Sequence, residues 1–203
     1  MGLEQLGFRD VRGVPVKVDR NGKARSLTEQ ELDQLLAAAP SPRYRALWAV
    51  QRWTAARISE SLALHWADVN GCLTYRAATT KTGKTRQVPI APALREVLTA
   101  YREAWAAEHG HAPAPGEALF PAMGSTTTPQ TRQAADKALR ATCARLGLQG
   151  VSTHSFRRSL AQAAVGRGVP LHVVQQITGH KSLGSLGEYL AATDAEVLAA
   201  IGG

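Results

Sequence analysis

The chain has 203 residues, 44% of them hydrophobic, and 24 Lys and Arg against 16 Asp and Glu leave a net charge of +8. That length accommodates one sizeable domain with a buried core, and the cationic surplus points to a polyanionic partner, nucleic acid first. Aromatics at 5% argue against single-strand binding on ranks of stacked rings, and two cysteines, Cys72 and Cys143, exclude a disulfide framework or a four-thiolate zinc site.

Residues 1–25 carry six basic and three acidic residues without sustained periodicity, with room for one short strand at Val14–Val18. They read as a linker, a disordered tail or a DNA-touching arm. Order is expected from Ser26. Thr28 and Glu31 fit a capping box, and Leu32, Leu35 and Leu36 give an amphipathic helix that Pro40 and Pro42 close. A largely apolar buried helix follows from Tyr44 to about Trp53. In TAARISESLALHWADV, Ile58, Leu62 and Trp66 continue an apolar stripe beside Arg57 and Glu60. Arg57 there either pairs with Glu60 along a helix or aims into a phosphate site with Glu60 behind it.

Residues 72–90 predict a β-hairpin, with Leu73, Tyr75 and Ala77 alternating before the turn and Val88 and Ile90 after it. Its tip holds Lys81, Lys84 and Arg86 around Gly83 and no acid, which reads as a solvated turn or as a grip on phosphates. Pro92 opens an amphipathic helix to about Gly110, and Ala118-Leu119-Phe120 is a short buried piece between loops. Thr128 is expected to cap a helix from Pro129 to about Leu146, with Arg132, Lys137, Arg140 and Arg145 on its surface.

The stretch from His154 to Tyr189 carries the most chemistry. His154 and Arg157 stand three apart, on one helix face, and Gly166 and Gly168 break that helix. Pro170 suits the start of the next, which ends at Gly179 with His180 directly behind it. Tyr189 follows nine residues later, with Gly184 and Gly187 between. A phenol with a pKa of about 10 is a poor nucleophile without such neighbours. Thr193 and Glu196 suggest a last capping box before a short apolar helix, too small to stand alone. No apolar run approaches about 18 residues, and there is no signal-peptide or lipidation pattern, so the chain is expected to be cytoplasmic, with no membrane partner. The fold class is α+β, mainly α-helical, with a small antiparallel hairpin or sheet on one edge.

Arg57, Lys81, His154-x-x-Arg157, His180 and Tyr189, in this order, resemble the tyrosine recombinase (phage integrase) catalytic domain. The resemblance covers residues 26–201 and rests on AARISESLAL, TKTGKTRQVPI, THSFRRS and TGHKSLGSLGEYL. It implies DNA strand breakage and rejoining through a 3′-phosphotyrosyl link, with no metal, ATP or other cofactor. Tyr189 would be the nucleophile, Arg57 and Arg157 the clamp on the nonbridging oxygens, and Lys81 the acid for the leaving 5′ oxygen. His180 would bond the phosphate, His154 would assist proton removal from Tyr189, and Glu60 would orient the site from behind. Lys84, Arg86, Arg132, Lys137, Arg140 and Arg158 are the expected DNA contacts. The implied partners are double-stranded DNA recombination sites and a homotetramer on DNA, from a chain that is monomeric when free. A type IB topoisomerase-like nicking-closing enzyme and a catalytically silent DNA-binding accessory protein are the alternatives.

Two departures stand out. Family members usually place a hydroxyl residue three before the tyrosine, where this chain has Leu186, which implies a differently shaped tyrosine loop. They also usually carry a separate helical core-binding domain. Residues 1–25 are too short to be one, so 26–203 is expected to be a catalytic domain without it: either an isolated domain or a minimal protein that binds DNA weakly.

Overall fold

The computed structural model describes residues 24–80 and 83–180, together with Ser182, Gly184, Leu186, Leu198 and Ile201. Helix α1 (Glu29–Ala37) starts at the expected capping box. The Glu31 amide donates to Thr28 Oγ1 at 3.2 Å, and the Thr28 amide donates to Glu31 Oε2 at 2.8 Å. Arg25 holds Glu31 through both guanidinium nitrogens, at 2.9 and 2.6 Å, and its amide donates to the Gly150 carbonyl. The folded part therefore includes Arg25, one residue ahead of the boundary suggested by the sequence. The strand expected at Val14–Val18 lies outside the described residues.

Helix α2 (Pro42–Thr54) is the central strut, with Ser41 as its N-cap and Pro42 in its first turn. Residues Ala46 to Gln51 are all fully buried, because α2 packs against both α4 (Pro92–His109) and α6 (Thr153–Gly166). A helical stretch buried on every side fits only such a place. Its one interior amide, Gln51 Nε2, donates to the Thr153 carbonyl at the start of α6.

The apolar stripe of residues 54–69 does not lie on one helix. The chain turns at Ala55 in the left-handed region (φ 52°), restarts as α3 (Ile58–Leu62) and ends in a 3₁₀ turn at Trp66–Asp68. Ile58, Leu62 and Trp66 are nevertheless all buried. The restart is stabilised by Glu60, whose Oε2 accepts from the Arg57 amide at 3.0 Å. No Gly or Pro announces this turn.

A three-stranded antiparallel sheet follows, ordered β1 (Val69–Asn70), β2 (Cys72–Tyr75), β3 (Arg86–Pro89). The hairpin register pairs Leu73 with Val88 and Tyr75 with Arg86, which buries the predicted alternation. Strand β1 is an addition to it, folded back across Gly71 at φ 65°. Ala77 leaves the strand for a 3₁₀ turn, because the Arg76 carbonyl accepts from both the amide and the hydroxyl of Thr79.

Beyond α4, Trp66, Tyr101 and Phe120 stack with successive centroids 5.8 Å apart. The Tyr101 hydroxyl donates to the Leu119 carbonyl at 2.7 Å, and burial pushes its pKa up. Helix α5 (Arg132–Arg145) begins later than expected, with Thr131 as its cap rather than Thr128. The Thr128 carbonyl accepts from the Ala122 amide, and Pro129 lies in a bridge opposite Pro121, so this stretch is already extended. Helices α6 and α7 (Leu171–Thr178) enclose a second, smaller core of Ala161, Ala164, Val174 and Leu186.

Candidate active site

The carboxyl end of α2 supplies the frame. Because Ala55 is left-handed, the carbonyls of Thr54 and Ala55 point outward from the helix end instead of into a following turn. Residues other than glycine enter this region at a cost of about 1–2 kcal/mol, and Ala55 bears it while fully buried. Its carbonyl accepts from Arg157 Nη1 at 2.8 Å. Arg157, itself only 3% exposed, arrives from the first turns of α6.

Arg157 Nη2 lies 3.2 Å from His180 Nε2. A guanidinium has no acceptor, so the imidazole accepts at Nε2 and carries its proton at Nδ1. That proton goes to Thr178 Oγ1 at 2.7 Å, and the threonine hydroxyl donates onward to the Val174 carbonyl at 2.7 Å. Gln175 Nε2 fixes the backbone by donating to the His180 carbonyl at 3.0 Å. Gly179, left-handed at φ 64°, makes the turn that brings His180 back toward Arg157.

Arg57 caps α3 and is half-buried. Its Nη1 donates to Glu60 Oε1 at 2.8 Å, with the Glu60 side chain 3% exposed. The pairing with Glu60 is present, and Arg57 also lines a cavity. The cavity, about 80 Å³, is lined by Ala56, Arg57, Arg132, Thr153, His154 and Arg157 among others. His154 and Arg157 thus face one space as their spacing predicts, with His154 exposed at its rim. Three arginines, Arg57, Arg132 and Arg157, thus line this small space.

A broader cleft of about 710 Å³ lies between the hairpin and α7, lined by Lys84, Gln87, His172, Gln176 and His180 among others. Lys84, Arg132, Lys137 and Arg140 are exposed as expected of DNA contacts, although Arg140 also pairs with Asp136 at 3.0 Å. Arg158 is half-buried. Arg86 departs from the expectation. Its side chain is 12% exposed, its guanidinium lies 4.4 Å above the Tyr75 ring, and it donates to the carbonyls of Ile177 and Thr54 and to Glu60. Burial pulls its pKa below the ordinary value, and Tyr75 and Glu60 oppose that pull. Three of its N–H groups are thus turned to acceptors inside the protein, while the residue also lines the cleft beside Lys84. Lys81 and Tyr189 lie outside the described residues.

The model of the phage integrase family matches residues 25–196, and the chain belongs to that family. It is 33% identical over 175 residues to "Tyrosine recombinase XerC" of Rhodospirillum centenum, covering 84% of this chain and 49% of that protein. It is 31% identical over 209 residues to the XerC of Rhizobium meliloti, covering 97% of this chain and 64% of that protein. The chain thus spans about half to two thirds of the length of these curated relatives. Among solved structures it resembles the XerA recombinase at a TM-score of 0.70 and 23% identity, over 91% of this chain and 67% of that one. A lambda integrase dimer bound to a core site gives 0.66 and 20%, over 91% and 53%.

Three contributors are not apparent from the sequence. Thr178 orients His180, the Ala55 carbonyl seats Arg157, and Arg86 turns inward. Thr178 alone leaves a legible sign, a hydroxyl two residues before a histidine at a helix end.

Proposed function

We propose that the protein breaks and rejoins DNA strands at specific recombination sites, through a covalent bond between Tyr189 and a 3′ phosphate. The convergence of Arg57, Arg157 and His154 on one anion-sized cavity, with His180 bonded to Arg157, carries this reading. The relatives named tyrosine recombinase support it. Tyr189 Oη attacks phosphorus, the bond to the 5′ oxygen breaks, and the phenolic proton leaves with help from His154. Lys81 gives a proton to the departing 5′ oxygen. Arg57 and Arg157 bind the nonbridging oxygens, whose charge grows in the transition state, and His180, protonated at Nε2, turns from Arg157 to donate to the same phosphate. One ester replaces another, so the bond energy is kept in the protein–DNA link. A 5′ hydroxyl from the partner strand then reverses the step and completes the exchange. Four protomers on two DNA sites would do this together, in the cytoplasm of a prokaryote.

A nicked suicide substrate carrying the protein's own recombination site tests the reading. The wild-type chain should become covalently attached, and Tyr189→Phe should bind the same DNA without forming the adduct. An adduct in that mutant mapping to Tyr44, Tyr75 or Tyr101 ends the assignment. Relaxation of supercoiled DNA with no exchange between paired sites would favour a topoisomerase instead.

A further inference from the structure

Arg86 is the residue whose structural investment exceeds anything required of a surface cation. Its Nη1 donates to the Ile177 carbonyl and, at 3.2 Å, to the Thr54 carbonyl, while Nη2 reaches Glu60 Oε2 at 3.4 Å. Each acceptor adjoins a residue of the phosphate site. Thr54 precedes Ala55, whose carbonyl seats Arg157; Ile177 precedes Thr178, which orients His180; Glu60 holds Arg57. Tyr75, paired with Arg86 across the hairpin, lies under the guanidinium, and its hydroxyl is 2.7 Å from Thr54 Oγ1.

The surroundings are shaped for this side chain. A Cβ added to Gly179 would stand 3.4 Å from both Cδ and Nε of Arg86, so the arginine stem packs directly against the glycine that turns the chain toward His180. A lysine could not replace it. One ammonium on a flexible stem cannot meet two carbonyls and a carboxylate in the planar directions that a guanidinium offers.

What Arg86 holds in place is the root of the hairpin. It opens β3, and the turn carrying Lys84, with Lys81 five residues before Arg86 in sequence, is attached to the rest of the site through it. We propose that Arg86 is a positioning residue that anchors the lysine-bearing hairpin against the α7 turn, so that the lysine ammonium meets the 5′ oxygen as it leaves. The proposal rests on the strand-transfer reading above. Its consequence falls on one step: the phosphorus–oxygen bond breaks and a proton passes from lysine to that oxygen.

Single-turnover cleavage of two suicide substrates separates this from general structural support. One has the natural 5′ oxygen at the scissile phosphate and the other a 5′ bridging sulfur, which departs as a thiolate without an acid. Arg86→Met keeps the apolar stem, Arg86→Lys keeps the charge, and thermal melting of both variants reports folding. The wild type should cleave both substrates. Arg86→Met should cleave the oxygen substrate on the order of 100-fold more slowly, as for loss of a general acid, yet cleave the sulfur substrate at close to the wild-type rate. Arg86→Lys should show a smaller loss with the same rescue. Equal losses on both substrates, or no loss on either, overturn the positioning role while leaving the strand-transfer reading intact. A wild-type chain that cleaves neither substrate overturns that reading, and the inference with it.

Discussion

Arg157 and His180 are organised as a pair before any phosphate arrives. The arginine is held at one end by the Ala55 carbonyl and reaches the imidazole with the other, so its position is decided by the backbone. Arg157→Ala should lower cleavage about 100- to 1,000-fold, the usual cost of removing one donor to a developing oxyanion. Arg157→Lys should be nearly as poor, because an ammonium cannot span both partners. Single-turnover adduct formation measures this, and near-normal cleavage by the lysine variant refutes the bidentate role. Thr178→Val tests the other side of the pair. It keeps the shape but leaves His180 Nδ1 without its acceptor, so cleavage should fall roughly tenfold while DNA binding stays unchanged. Unchanged cleavage would mean that the threonine only packs.

At the scale of elements, the tyrosine-bearing segment is moored by an unusual residue. Leu186, where the family usually has a hydroxyl, is fully buried with Ala161, Ala164 and Val174. Leu186 is thus an apolar plug between α6 and α7, three residues before Tyr189 in the sequence. Leu186→Ala should weaken that mooring by roughly 2–3 kcal/mol and reduce adduct formation with little effect on DNA affinity, while Leu186→Met, similar in volume, should restore it. A binding assay beside a cleavage assay decides, and equal losses in both would disprove the mooring role.

Elements of this kind also explain what was legible in the sequence. The capping box at Thr28, the left-handed Gly179 and the Arg57–Glu60 pair are local, so residue type and spacing reveal them. The turn at Ala55 is not local. It has no breaker residue, and the carbonyls it exposes are met by Arg86 and Arg157 from far along the chain. For the same reason Arg86 read as one more cation on a basic hairpin, since the acceptors that draw it inward lie on α2, α3 and α7. Thr128 lost its cap to a β-bridge between distant prolines. Local chemistry was readable; tertiary competition for backbone groups was not.

The whole molecule carries +8 net charge, and Arg57, Arg132, His154 and Arg157 line its small pocket. Under the proposed function, exchange between two DNA sites needs more than one protomer. Of the C-terminal helix expected after Tyr189, only Leu198 and Ile201 are described, each within a helical turn, 65% and 74% exposed. Three apart, they fall on one helix face, and apolar groups that open to water gain by being covered. A second protomer on the same DNA is the cover proposed here, consistent with the closed ring of four that the family resemblance implies. Removing residues 194–203 should then leave DNA binding and first-strand cleavage close to wild type. Recombination between two sites on one plasmid should fall by at least an order of magnitude, because each 1.4 kcal/mol of lost contact between protomers costs tenfold in assembly. Leu198→Glu with Ile201→Glu should reproduce the defect without shortening the chain. Complete strand exchange by either variant would rule out the tail as the link between protomers, as would a stable tetramer of the wild-type chain in the absence of DNA.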